Sequence, residues 1–320
     1  MPVKKTKKVS SAKSTKKTAA KSKAAPKATK KSVAKTTAKK RMTKAQKEKI
    51  EQFNKFSLDT CIEMAKAMGV AMDYDQYASM LMESADISKL SENVLSQYNV
   101  DKKAFSFEKD GYDTDLIPVI FERVEKTAVV TASDFTEIAD KVKKHQKYVI
   151  QDDSTLNNDE YKTDFDVVRE VLIIAQKKDV RSTEDMEKII NVNPKQLIVT
   201  FADLAYKVLN FFEFDDVKYY EKFIFAVLSQ FDDLRQEMGN RILMDVADLY
   251  IQRGDYSMGD ANYQYILREN GIKDYIYYRY ASIYQNGIDV DKAKSIAATA
   301  MQVVGPEYEY YDKINKIFEA

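Results

Sequence analysis

The chain has 320 residues and a formal net charge of +1, from 51 basic and 50 acidic side chains. Its single cysteine, Cys61, excludes an intramolecular disulfide, and no apolar run approaches the ~20 residues of a membrane span. The near-zero charge conceals a segregation: sixteen basic residues and no acid fall within residues 1–41, which leaves 35 basic residues against all 50 acids in the remainder.

Residues 1–41 read as a solvated, mobile arm. Apart from alanines, their apolar residues are Met1, Val3, Val9 and Val33. Burying so little cannot offset an ordering cost of about 1–2 kcal/mol per residue, and the lysines repel one another. The arm has no apolar h-region of a secretory signal, and it lacks the arginines and apolar face of a mitochondrial transit peptide. Its stretch "AAPKATKK" resembles the Lys/Ala/Pro-rich tails of linker histones and bacterial histone-like proteins, a likeness of composition. The resemblance implies nucleic-acid binding through phosphates, DNA or RNA alike. The expected contacts are Lys4, Lys5, Lys7, Lys8, Lys13, Lys16, Lys17, Lys21, Lys23, Lys27, Lys30, Lys31, Lys35, Lys39, Lys40 and Arg41. No aromatic is present to stack on bases, so sequence preference is not expected. Acidic protein or anionic lipid is the rival partner for the same charge.

From Thr43 onward the pattern predicts an all-α body. Thr43 with Gln46 resembles a capping box, and apolar residues at helical spacing predict one helix from there to Met68, stopped by Gly69. Helices are predicted over 74–83 and 87–97. Residues 100–113 read as a loop with a short strand at Ala104–Phe107. Helices over 114–126 and 133–149 complete a domain of unknown type, 42–150. The polar, turn-rich stretch 151–163, "QDDSTLNNDEYKT", predicts a linker. A second domain, 164–320, follows. Asn193-Pro194 opens a helix that runs to about Phe212. Further helices are predicted over 216–230, 233–253, 258–270, 274–286, 290–304 and 307–319.

The last third contains a repeat. Ala247, Tyr250 and Gly259 recur as Ala281, Tyr284 and Ala293, each pair 34 residues apart. Small residues at 247/259 and 281/293 let two antiparallel helices approach closely, and Tyr250 and Tyr284 would fill the wedge toward the next helix. This pattern over 240–307 resembles the tetratricopeptide repeat family. The likeness rests on the small residue and following Tyr of the first helix, the small residue opening the second, and the turn "RGDYSMG". Gly271 and Gly305 stand where the family has Pro, and Leu243 and Tyr277 where it often has Trp. The resemblance implies an α-solenoid with a capping helix from Pro306. It also implies a groove for a protein or peptide, lined by Arg241, Met244, Asp248 and Gln252 and, at the same offset, Tyr275, Tyr278, Ser282 and Asn286. Tyr275 and Tyr278 are the stronger contact candidates, because tyrosine offers large area and a hydroxyl at low entropic cost. The rival reading packs them within the array.

Catalytic chemistry finds no constellation. His145 is the only histidine and reads as a surface residue in a lysine-rich helix; Cys61 lies on an apolar stripe and reads as core. One His and one Cys cannot make the usual zinc site, and no phosphate-binding glycine loop occurs. "SFEKDGYDTDLI" fails as a calcium loop, since its twelfth position is Ile117. The expectation is a non-enzymatic adaptor without cofactor or metal, cytoplasmic and associated with nucleoid or chromatin if the arm binds DNA. A chaperone-like or assembly protein whose arm contacts acidic protein or lipid is the alternative. Oligomeric state is left open.

Overall fold

A computed structural model describes residues 43–320; the basic arm lies outside the described residues. These residues carry sixteen α-helices and no strand, and 45–320 form one compact unit.

Two helices open the body, α1 (Lys44–Phe53) and α2 (Leu58–Ala67), where a single one was expected. The break follows from Ser57, whose hydroxyl accepts a hydrogen bond from the Thr60 amide and starts α2 afresh. Gly69, at φ +92°, closes α2 as anticipated. Then come α3 (Tyr74–Glu83), α4 (Ile87–Gln97), α5 (Phe107–Asp110) and α6 (Leu116–Thr127). The strand expected at Ala104–Phe107 does not form. The Ser106 amide donates to Asp110 instead, and Gly111 at φ +78° ends the short turn of α5. Helix α6 is the hub, burying Leu116, Ile117, Val119, Ile120, Phe121 and Val124 against α2, α3 and α4. Cys61 is buried in this core, as read from its stripe.

Next are α7 (Phe135–His145) and α8 (Ser154–Lys177). The linker expected at 151–163 is overturned: most of it is the first turns of the 24-residue α8. Its polar residues cap and brace the helix. Asp153 accepts from the amides of Thr155 and Leu156, and buried Asn157 bonds the Gln151 backbone and the Tyr148 hydroxyl. No domain boundary falls there either, because Met82, Ile138 and Val142 share a core with α8 and the helices after it. His145 corrects another expectation. It is 3% exposed, at the end of the Ile138–Val142–His145 face that packs on α8.

The remaining helices are α9 (Thr183–Ile190), α10 (Lys195–Val208), α11 (Phe214–Gln230), α12 (Asp232–Gln252), α13 (Tyr256–Glu269), α14 (Asp274–Gln285), α15 (Val290–Ala300) and α16 (Tyr311–Glu319). Helix α9 was not foreseen, although Ser182 caps it and Glu184 and Asp185 sit in its first turn, where the helix dipole favours acids. Helices α8, α10, α12, α14 and α16 contact one another in sequence, forming one layer. α13 and α15 return antiparallel to α12 and α14, and α16 lies across both α14 and α15.

Candidate functional site

Helices α12 and α13 approach closely. A Cβ on Gly259 would stand 2.4 Å from Ile251 Cγ1 and 2.9 Å from the Ala247 carbonyl oxygen. The equivalent positions of the next pair, Ala281 and Ala293, are fully buried. Both repeat tyrosines direct their hydroxyls toward the preceding helix. Tyr250 stacks edge-on to Phe214 at 5.7 Å and donates to Glu221 of α11; Tyr284 donates to Asp260 of α13 at 2.7 Å.

Close packing of α12 brings two of its acids, Asp245 and Asp248, into the interior between α10 and α14. Buried carboxylates require partners, and Arg279 of α14 supplies them. Its Nη2 lies 2.6 Å from both Asp245 Oδ1 and Asp248 Oδ2, while Nε donates to Asp248 at 2.8 Å. Tyr263 of α13 and Tyr206 of α10 donate their hydroxyls to Asp248 at 2.6 and 3.0 Å. Arg241 bridges Asp245 to Asp203 of α10. Burial opposes the Arg279 charge, but Asp248, Tyr263 and Asp245 outweigh it and hold its pKa above the ordinary arginine value. The Arg279 guanidinium also lies 5.4 Å over the Tyr206 ring.

This polar spine floors a cleft of about 430 Å³ between α12 and α14. An adjoining cleft of about 620 Å³ extends past Asp203, Lys207 and Phe211 to Ile150. The two share Tyr206, Arg241 and Asp245, so they make one groove.

The structure brings Arg241, Asp248, Tyr275, Tyr278, Ser282 and Asn286 together on the wall of the first cleft. Two expected residues are not there. Met244 faces the C-terminal core with Ala247 and Ile251, and Gln252 is exposed at the end of α12, outside the lining. Asp245 and Asp248 occupy the groove side of α12, and Met244 lies on its apolar side. Asp248 lines the floor, but its oxygens are taken up by Arg279, Tyr206 and Tyr263. Tyr275 is 41% exposed and Tyr278 half-buried; both rings approach Tyr310, at 5.0 and 5.2 Å, with Lys313 over Tyr310 at 4.2 Å. Ser282 donates to the Tyr278 carbonyl.

Asp245, Arg279, Tyr206 and Phe211 were missed. Their signal was present: two acids within the otherwise apolar run "ILMDVADLY" must find a buried cation, and an arginine in the facing helix, "DYIYYRY", is the nearest candidate. Compared with protein-family models, curated proteins and solved structures, the chain finds no match.

Proposed function

We propose that this chain is a non-enzymatic adaptor. Its basic arm holds nucleic acid without sequence preference, and a tetratricopeptide-like array over 240–307, capped by α16, offers a groove to a protein segment. The observation that carries the groove is its self-paired floor. Arg279 and Arg241 answer Asp245, Asp248 and Asp203, and two tyrosine hydroxyls bond Asp248, so a guest finds a formed wall with exposed rings on its rim, Tyr275 at 41% and Phe211 at 79% exposure. Close pairing at 247/259, repeated in kind at 281/293, supports the solenoid reading. Charge segregation supports the arm.

Random-sequence duplex DNA, titrated at two or more salt concentrations with and without residues 1–41, tests the arm. If eight to twelve lysines each neutralise a phosphate, log K falls against log salt with a slope of roughly −7 to −11, and deletion of the arm removes the dependence. Equal affinity with the arm deleted sinks this reading. Tighter binding to anionic vesicles than to DNA favours the assembly-protein alternative. For the groove, peptides selected from a random library on the full chain should lose binding in Tyr275→Ala and Phe211→Ala, while DNA binding is unchanged.

A further inference from the structure

The packed faces of α7 and α8 hold a second cluster that the groove does not use. His145 ends α7, and Glu160 and Asp164 stand one helical turn apart on α8, so both carboxylates share the face that meets it. The His145 Nδ1 lies 2.6 Å from Glu160 Oε1 and 3.1 Å from Asp164 Oδ1, and one donor atom from each residue falls within 4.8 Å of the other two. Asp164 is 0% exposed, and neither of its oxygens has a hydrogen-bond partner. A fully buried carboxylate without a donor is an unbalanced arrangement.

We propose that His145, Glu160 and Asp164 bind a divalent first-row transition-metal ion. Two carboxylates and a neutral imidazole around a dication sum to zero charge. The imidazole nitrogen favours Zn²⁺, Mn²⁺ or Co²⁺ over the oxygen-preferring Mg²⁺ and Ca²⁺. Three protein donors leave further coordination positions to water, and partly exposed Glu160 gives the ion its path from solvent. The surrounding turn is already fixed. Asn157 bonds both the amide and the carbonyl of Gln151 and accepts from Tyr148, which sets the approach of α7 to α8. The negative end of the α7 dipole also faces the site. The ion would act as a clamp between these two helices.

Metal-free full-length protein is titrated with Zn²⁺ by calorimetry, and its melting temperature is followed against free ion. One equivalent binds, and the melting temperature rises with ion concentration. Glu160→Gln weakens that step by more than the ~10–100-fold typical of outer-shell losses, and His145→Asn abolishes it. Bound Co²⁺ shows no thiolate charge-transfer band, because Cys61 belongs to a different core. Should His145→Asn not fold, Glu160→Gln decides, since that side chain reaches solvent. Absence of one-equivalent binding by Zn²⁺, Mn²⁺ and Co²⁺ overturns the proposal. So does binding that Glu160→Gln leaves unchanged, which assigns the ion to surface carboxylates.

Discussion

Helices α10–α11 and α12–α13 are consecutive pairs of similar length, yet they pack by opposite means. Between α10 and α11 stand large rings: Phe201 lies 5.9 Å from Tyr220 and 5.8 Å from Phe223, and it stacks on Tyr161 of α8 at 5.3 Å. Where α12 and α13 come closest no ring intervenes, only Gly259 against Ala247 and Ile251; the Tyr263 ring enters one turn on, bonded to Asp248. Rings hold helices apart and fill volume; small residues let backbones touch. The 34-residue period therefore stops where the aromatics begin, and 194–230 shows no register with the repeats although the same helix layer continues through it.

Opposite substitutions should therefore damage the two regions. Phe201→Ala empties a space ringed by four aromatics, Tyr161, Phe165, Tyr220 and Phe223, and costs about 3–5 kcal/mol in urea unfolding. Arg279→Ala, which leaves two interior carboxylates facing each other, costs about 3 kcal/mol and loosens α14 from α12, readable as faster amide exchange in both. Adding one methyl in the tight seam, Gly259→Ala, costs about 1–3 kcal/mol, because backbone and Ile251 must move. The same change at Gly239, where a Cβ would meet only Arg235 Cγ at 3.8 Å, stabilises by about 0.5–1 kcal/mol. If Gly259→Ala and Gly239→Ala behave alike, the close-contact account of α12 and α13 fails. The smallest effect concerns acid. Burial would raise the Asp260 carboxyl, but hydrogen bonds from Tyr280, Tyr284 and Lys292 prevail and hold it below the ordinary aspartate range. Its contribution is thus present above the unfolded-state value and lost as pH falls through the folded one. Asp260→Asn should flatten this part of the stability profile below about pH 4.

Much of the helix content was legible because caps and apolar spacing act locally; α3, α4 and α10 through α15 lie within a few residues of their expected places. What escaped depends on tertiary partners. The polar stretch 151–163 looks like a loop until Asn157 is seen to be buried and fully bonded. His145 looks solvated among Lys143, Lys144 and Lys147, yet its spacing from Ile138 and Val142 places it on the inner face. In the groove, six of the eight residues implied by the repeat resemblance and its 34-residue offset line one wall. It could not identify the cation for Asp245 and Asp248, because that residue has no counterpart in the other copy: the position 34 before Arg279 is Asp245 itself.

That last relation has a mechanical consequence. One planar guanidinium answers an acid at its own repeat position and another one turn on, while tyrosines from α10 and α13 clasp the same carboxylate. Four helices are thereby pinned at a single point, and the torsions of the floor are spent before any guest arrives. The ordering penalty of association then falls on the incoming segment alone.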